Sequence, residues 1–234
     1  MVAISGIDTR ALVRHIRDKG AMNGIISSET TDVEVLKEKL NQVPSMEGLQ
    51  LCDKVSTTTP YFYGDENAIF KVAVLDFGIK RNILNILSSY GYDVVVFPHN
   101  YPMKEVFETN PSGIFLSNGP GDPLATFKTN KKNLSLIKES MKPIFGICLG
   151  HQILSLIFNA KTEKMHHGHR GANHPIKNIK TKQVEITVQN HGFVVSRKLF
   201  PNELKITHTS LFDDTIAGIE VKRKPFFSVQ YHPE

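Results

Sequence analysis

The sequence predicts an α/β fold, a doubly wound and mostly parallel sheet with helices on both faces, behind a small N-terminal domain. Two observations predict the sheet. From Lys71 onward, short apolar segments alternate with amphipathic helical segments, and this alternation is typical of parallel strands joined by helices. The apolar segments are also nearly continuous in hydrophobic residues, as expected of strands buried on both faces.

The first 60 residues are predicted to form the small N-terminal domain. A helical pattern covers residues 7–19, with apolar side chains along one face, and Gly20 is well placed to end the helix. A second amphipathic helix follows Thr31. Periodicity is lost after Pro44 and does not return until about Phe70, so residues 61–70 are predicted to be a linker.

Residues 71–234 are predicted to form the main domain. Its apolar segments predict four strands, at residues 72–75, 94–97, 114–116 and 144–147, and the first strand is followed by a helix over residues 83–87. Two later segments, residues 184–188 and 226–230, have no clear helix between them. Antiparallel or mixed strands are therefore expected there. Functional groups of such sheets gather at the carboxyl ends of the strands.

Composition excludes several classes of protein. The chain is 40% hydrophobic and 22% charged, which is ordinary for a soluble globular protein. No apolar run approaches the ~18 residues needed to cross a membrane, and no signal peptide is recognisable at the N-terminus, so a cytoplasmic location is expected. The net charge of +5 is spread over short, separated basic runs, so no nucleic acid partner is expected.

The strongest local motif surrounds Cys148, between an apolar strand and the helical residues 152–158. It has the form of a nucleophile elbow, Gly146-Ile147-Cys148-Leu149-Gly150, in which glycines permit a tight turn that exposes the nucleophile. A helix N-terminus also favours the thiolate. A buried structural cysteine is the ordinary alternative, but the two glycines favour a nucleophile.

A nucleophilic cysteine needs a base, and His232 is the candidate. It follows the apolar residues 226–229 and stands two residues before Glu234. Residues two apart in an extended chain point to the same side, so the Glu234 carboxylate can orient the imidazole as in a catalytic triad. Taken alone, this short sequence favours an ordinary surface turn. Together with the Cys148 motif, it favours the catalytic interpretation.

Acyl transfer also requires donors for an oxyanion. Residues 117–123 follow a predicted strand and contain Gly119 and Gly121, and glycines allow backbone N–H groups to approach a substrate. The N–H of Leu149, directly after Cys148, is the natural second donor. An ordinary turn rich in glycine and proline is the alternative. The place of residues 117–123 at the end of a predicted strand favours a functional loop.

Two other features of the sequence concern metals and cysteines. His166, His167, His169 and His174 lie close in sequence and invite a metal site, but their spacing matches no zinc pattern, so a structural role is preferred and no metal is expected. Two distant cysteines predict neither a disulfide framework nor a metal quartet. Cys52 has no neighbouring base or glycine elbow and is predicted to be incidental.

Taken together, these motifs resemble the class I (triad) glutamine amidotransferases. The resemblance rests on residues 146–152, 117–123 and 232–234. The chain is more narrowly similar to the small subunits of carbamoyl-phosphate synthetases, through residues 8–10, 76–82, 171–175 and 189–193. It implies the doubly wound amidotransferase fold behind a smaller N-terminal domain. Family members begin before Val2 and continue past Glu234, so an incomplete N-terminal domain and a C-terminally truncated amidotransferase domain are expected.

The resemblance also assigns roles to individual residues. It implies a catalytic triad of Cys148, His232 and Glu234. It also implies a set of residues that bind L-glutamine, and the two oxyanion donors, Gly119 and Leu149, belong to this set. The whole set is Gly119, Gly121, Leu149, Gln152, Asn190, Gly192 and Phe193.

The partner implied by the resemblance is a large synthetase subunit that receives ammonia from this chain. The sequence contains no phosphate-binding loop of the Walker type, so ATP and Mg²⁺ are expected on the large subunit, with no cofactor on this chain. Two alternatives stay open. One is another class I amidotransferase subunit, such as an anthranilate or guanylate synthetase component, and the other is a non-catalytic regulatory homologue.

Overall fold

The computed structural model describes residues 2–64 and 68–234. Within them the chain forms ten strands, which are β1 (Tyr61–Gly64), β2 (Phe70–Asp76), β3 (Tyr92–Pro98), β4 (Gly113–Leu116), β5 (Ile144–Ile147), β6 (Thr162–Asn178), β7 (Val184–Val195), β8 (Leu204–Ser210), β9 (Ile216–Val221) and β10 (Phe226–Val229). All ten belong to one sheet, in the order β1-β3-β2-β4-β5-β10-β9-β8-β6-β7.

Seven α-helices connect or precede these strands in the described ranges. They are α1 (Thr9–Lys19), α2 (Val33–Asn41), α3 (Arg81–Ser89), α4 (Met103–Glu108), α5 (Pro123–Thr129), α6 (Lys131–Ser135) and α7 (Leu149–Ile157). Short 3₁₀ turns lie at Cys52–Lys54 and Leu136–Glu139. No helix of the described part of the chain is both long and apolar enough to cross a membrane.

The centre of the sheet is parallel. Strands β3, β2, β4, β5 and β10 pair in parallel. On one side of them β1 pairs antiparallel with β3, and on the other side β9, β8, β6 and β7 add antiparallel pairs. The predicted α/β fold is confirmed, and the expected mixture of strand directions in the C-terminal part is present. Cys148 and residues 117–123 therefore follow neighbouring parallel strands at one edge.

Helices cover both faces of the parallel strands. In β2, Val74 belongs to one hydrophobic cluster with Ile83 and Leu84 of α3. Its neighbours Ala73 and Leu75 belong to a second cluster, which includes residues of α4, α5, α6 and α7. Successive side chains of a strand point to opposite faces, so these two clusters are the two faces of a doubly wound sheet.

The predicted linker, residues 61–70, includes residues of the sheet. Residues 61–64 form β1, which pairs antiparallel with β3 from Tyr61 opposite Val96 to Gly64 opposite Asp93, so they belong to the sheet. Phe70 already begins β2. Residues 65–67 of the predicted linker lie outside the described residues. The division into domains of residues 1–60 and 71–234 stays a prediction.

The N-terminal segment contacts both the main sheet and the loop of residues 117–123. After α1, the Ala21 N–H donates to the carbonyl of His166 in β6 at 2.7 Å. Further along, the N–H of Gly48 donates to Asp122 at 2.8 Å, and the N–H of Asp122 donates to the Leu49 carbonyl at 2.9 Å. The segment therefore lies against the loop of residues 117–123.

Cys52 is a core residue, and its predicted lack of a catalytic role stays a prediction. Its side chain is fully buried, and its sulfur lies 3.8 Å from the Pro120 carbonyl oxygen and 3.7 Å from Thr126 Oγ1. The surrounding sequence is polar, so local hydrophobicity could not predict this burial. Cys52 is buried because the loop and α5 pack over it.

Strands β6 and β7 form a long antiparallel pair with two register shifts, at residues 164–169 and 171–174. The sequence predicted only the first part of β7 and did not predict β6. The buried positions of β6 include Gly168 and His169, which are not typical strand residues. A polar strand of this kind is stable because its partners across the sheet satisfy its backbone.

Candidate active site

Cys148 stands at the junction of β5 and α7 with φ 53° and ψ −104°. This left-handed backbone is uncommon for residues other than glycine and marks a strained turn. The turn packs so closely that a Cβ on Gly150 would lie 2.0 Å from the Leu116 carbonyl oxygen, and one on Gly146 would lie 2.8 Å from the Gly150 backbone. The flanking glycines are therefore required by space, as the elbow motif predicts.

The thiol of Cys148 is held in its neutral form. Burial raises its pKa to about 12, against the lowering effects of the Leu149 N–H, the Lys80 charge and the Gln230 amide. The sequence predicted that the helix N-terminus favours the thiolate. That effect is present but is smaller than the cost of placing a charge in a buried site. Attack by this sulfur therefore requires a base that removes the proton.

Alkaline conditions should destabilise the fold through both cysteines. Burial raises the pKa of Cys52 to about 11 and that of Cys148 to about 12, whereas unfolded thiols ionise near pH ~8.5. The folded state thus keeps these protons up to a higher pH than the unfolded state does. The stabilisation from each thiol is complete below the unfolded pKa and is lost as pH rises toward the folded pKa. We expect the free energy of unfolding to fall by about 1.4 kcal/mol per pH unit for each thiol in this window.

Urea unfolding at a series of pH values measures this slope. Cys52→Ala should give a shallower slope than the parent chain, whatever its absolute stability. Equal slopes for the two proteins would contradict the burial effect.

The candidate base lies at the end of the described chain. The Nδ1 of His232 is 2.8 Å from Oε1 of Glu234, and both side chains are buried. The His232 N–H also donates to the Val188 carbonyl at 2.9 Å. Burial alone would raise the pKa of Glu234, but the hydrogen bond from His232 and the nearby charges lower it overall. The carboxylate is therefore ionised and fixes the Nδ1–H tautomer, so that Nε2 is the nitrogen left to act as base.

Lys80 completes this arrangement and was not among the predicted site residues. Its Nζ lies 3.1 Å from Oε1 of Glu234 and 3.3 Å from Nδ1 of His232. The buried Asp76 shapes the turn before it by accepting the N–H groups of Gly78 and Ile79 at 2.9 and 2.8 Å. A lysine after such a turn has no distinctive sequence signal by itself, so only the tertiary structure places this charge beside Glu234.

Cys148 and His232 line the same cavity of about 430 Å³. Most of the predicted glutamine-binding residues belong to its wall, as do several side chains that were not predicted. The predicted members are Gly119, Gly121, Gln152, Asn190, Gly192 and Phe193, and the additional members include Met46, Lys80, Asn118, Arg170 and His191. Leu149 is buried behind the wall and Glu234 lies behind His232.

The loop of residues 117–123 is held rigidly over the elbow. A Cβ on Gly119 would lie 2.2 Å from the Phe77 carbonyl oxygen and 2.9 Å from the Leu149 side chain. Ser117 Oγ accepts the Phe77 N–H at 2.9 Å, and Asp122 accepts the Leu124 N–H at the start of α5. Gly119 thus packs against the Leu149 side chain, which places the loop beside the elbow.

Gln152 is part of a buried amide network. Its Nε2 donates to the Phe193 carbonyl at 2.7 Å and to Oε1 of Gln230 at 3.0 Å. These bonds connect α7 with β7 and with the residue after β10. Because both amides are almost fully buried, breaking one bond would leave an unsatisfied group, at a cost of about 1–3 kcal/mol. Gln230 was not predicted from the sequence.

Two of the four histidines considered as metal ligands have other hydrogen-bond partners. His169 contacts Gln189 at 3.0 Å and Asp213 at 2.9 Å, and His166 contacts the Arg17 carbonyl at 3.1 Å. In the part of the chain that the structure describes, no three His, Cys, Asp or Glu side chains are grouped so that they could hold a metal ion.

Comparison with solved structures supports the fold. A putative GMP synthase component from Thermoplasma acidophilum matches with a TM-score of 0.60 and 21% identity, over 72% of this chain and 86% of that one. A glutamine amidotransferase from Thermotoga maritima matches with a TM-score of 0.56 and 15% identity, over 70% of this chain and 75% of that one. At these identities the likeness shows the fold alone.

Sequence comparison is more specific. The chain is 48% identical to the carbamoyl phosphate synthase small chain of Chlorobaculum tepidum and 46% identical to that of a Synechococcus species. Both matches cover all of this chain, which spans 64% and 62% of the two relatives' lengths. The family model for class-I glutamine amidotransferases matches residues 73–234. This chain therefore belongs to the class-I glutamine amidotransferase family.

Proposed function

We propose that this chain is the glutaminase part of a carbamoyl-phosphate synthetase small subunit, with Cys148 as nucleophile and His232 as base. The observation that supports this most is that both side chains line one cavity while Glu234 holds the far side of the imidazole at 2.8 Å. Their separation along the chain is large, so only a folded active site would bring them to one wall.

The reaction begins with removal of the thiol proton. The pKa of Cys148 is raised to about 12 by burial, so little thiolate exists at neutral pH. Nε2 of His232 takes the proton as the sulfur bonds to the amide carbon of glutamine. The imidazolium that forms is stabilised by the Glu234 carboxylate, to which Nδ1–H donates.

The carbonyl oxygen of the substrate becomes an oxyanion in this step. The N–H groups of Gly119 and Leu149 are its proposed donors, since the loop and the elbow are in contact. The imidazolium then gives its proton to the leaving nitrogen, and the C–N bond breaks to release ammonia. The products are a thioester on Cys148 and a neutral His232.

Hydrolysis of the thioester repeats the same proton transfers. His232 takes a proton from water as its oxygen attacks the thioester carbon, and the proton returns to the sulfur as the C–S bond breaks. Glutamate leaves and the neutral thiol is restored. One imidazole thus serves as base and acid in both halves, a contribution of about 10²–10⁴ in rate.

The oxyanion role predicts a large effect of Gly119→Ala. A Cβ there would lie 2.2 Å from the Phe77 carbonyl oxygen, so the loop has to move and its N–H is displaced. We expect the kcat/KM for glutamine hydrolysis to fall about 10²–10³-fold.

Glutamate release measures this effect, with circular dichroism to verify folding. Gly24→Ala is the matched control because no atom lies within 4 Å of a Cβ at that position. A folded Gly119→Ala protein with parental activity would refute the assignment of this N–H.

The proposed partner is a large synthetase subunit that uses the ammonia together with ATP and Mg²⁺. Similarity to the small chains over the whole of this sequence supports this partner over an anthranilate or guanylate synthetase subunit. Co-purification of the full-length protein, followed by a carbamoyl phosphate assay with glutamine as nitrogen donor, tests the assignment. A large chain that makes anthranilate or a guanine nucleotide would instead establish one of the alternatives.

A non-catalytic homologue is the remaining alternative, and the retained Cys148, His232 and Glu234 argue against it. A chloroketone analogue of glutamine should alkylate Cys148 and block glutamate release. An unreactive Cys148 in the full-length protein would favour the non-catalytic homologue.

A further inference from the structure

Arg170 is a cation in the wall of the cavity that contains Cys148 and His232. It lies on β6 opposite Asn190 of β7, another wall residue. One end of its guanidinium donates to the His167 carbonyl. The other end extends over Gly192, where Nη2 would be 3.4 Å from an added Cβ. The side chain is thus anchored at one nitrogen, and the rest of the guanidinium group lies along the cavity wall.

The positive charge of Arg170 is not balanced within the described structure. The wall residues that the structure describes include no Asp or Glu, and Arg170 forms no ion pair with any described carboxylate. Lys80, the other permanent cation of the wall, is already paired with Glu234 at 3.1 Å. A negatively charged ligand group would therefore find its free cationic partner at Arg170.

The neighbouring imidazole does not compete for this role. Burial and the charge of His169 lower the pKa of His191 to about 3, so His191 is neutral at physiological pH. The charge of Arg170 contributes to the same lowering, which shows that the guanidinium is close to the ring. Arg170 is thus the permanent charge on this side of the cavity.

The position of Arg170 is suited to contact the α-carboxylate end of a bound glutamine. Glutamine has its reactive amide at one end and its α-carboxylate at the other, separated by three saturated carbons. Arg170 also lines a second cavity of about 400 Å³ that adjoins the first through Met46, Gly192 and Phe193. It therefore lies where the two cavities meet, and the end of glutamine opposite the reactive amide has room to extend there.

We propose that Arg170 binds the α-carboxylate of glutamine and thereby selects the free amino acid over simpler amides. This inference rests on the proposed glutaminase function and adds a specificity residue to it. A guanidinium can hold a carboxylate through two parallel N–H groups, which a lysine cannot reproduce. Such a contact forms equally in the ground state and the transition state, so it acts on KM more than on kcat.

The test compares Arg170→Met and Arg170→Lys with the full-length parent protein. The two substrates are glutamine and γ-aminobutyramide, which is glutamine without its α-carboxylate. We expect Arg170→Met to raise the KM for glutamine about 10- to 100-fold, with little change in kcat. Hydrolysis of γ-aminobutyramide should be unchanged, and Arg170→Lys should lie between the parent and Arg170→Met.

Lys164→Met is the matched control. Lys164 is on the same strand and lines the adjoining cavity but not the one with Cys148, so its variant should keep the parental KM. An equal fall in kcat/KM for both substrates in Arg170→Met would show that the side chain only stabilises β6 and β7. That result would overturn the proposal. So would an unchanged KM for glutamine in a variant that melts at the parental temperature.

Calorimetry separates this proposal from the proposed function. If the parent protein releases no glutamate, the glutaminase assignment fails, but binding of glutamine and γ-aminobutyramide can still be measured. Weaker glutamine binding in Arg170→Met, with unchanged γ-aminobutyramide binding, would support the carboxylate contact alone. Equal glutamine affinity of the parent and Arg170→Met would refute it.

Discussion

Cys148→Ser should reduce glutamine hydrolysis by about 10⁴-fold or more, because it removes the proposed nucleophile of a group that acts as a unit. Serine is nearly the same size as cysteine and keeps the strained turn at φ 53°, so the cavity should survive. A hydroxyl is a much weaker nucleophile at neutral pH than a thiol. Glutamate release measures the rate, and calorimetry should show that glutamine still binds.

Cys52→Ala is the control for this substitution. Cys52 is the other cysteine of the sequence and is buried in the core outside the cavity. Its replacement should lower stability but leave the activity per folded molecule near that of the parent. Parental turnover in Cys148→Ser would defeat the assignment of the nucleophile.

His232→Asn should reduce the rate of hydrolysis by about 10²–10⁴-fold. Asparagine is chosen because its amide can still donate to Glu234, whose side chain is only 4% exposed. The buried carboxylate is then not left without a partner, and the effect reports the loss of the base. The rate should be measured from about pH 7 to pH 10, a range chosen below the thiol pKa.

The pH dependence distinguishes loss of the base from loss of structure. Without His232, thiolate forms only by ionisation of Cys148, whose pKa is raised to about 12 by burial. The residual rate should therefore rise about tenfold per pH unit over this range. His15→Asn, an exposed histidine on α1, should keep the parental profile. A flat residual rate in His232→Asn would contradict the role of His232 as base.

Most of the parallel core could be predicted from the sequence. The predicted strands at residues 72–75 and 144–147 lie within β2 and β5, because buried parallel strands are continuous in apolar residues. The predicted helix at residues 152–158 overlaps α7. Strand β6 was not predicted, because its histidines and glycines do not show the alternation of a half-buried strand.

The site was predictable to the extent that local geometry restricts residue type. Gly146 and Gly150 identify the elbow because any side chain there would collide with backbone, and this requirement is visible in the sequence. Lys80 and Arg170 are ordinary surface residues by sequence. Their proximity to Glu234 and to Gly192 depends on loops and strands that meet only in the folded chain.

By itself, the sequence determined the α/β class, the elbow around Cys148 and the pairing of His232 with Glu234, because each depends on residues near one another along the chain. Only the tertiary structure decided that β1 joins the sheet, that Cys52 is buried and that the Cys148 thiol stays neutral. The physical reason is that burial and desolvation depend on everything that packs around a group. Such surroundings come from distant parts of the chain, and no local pattern specifies them.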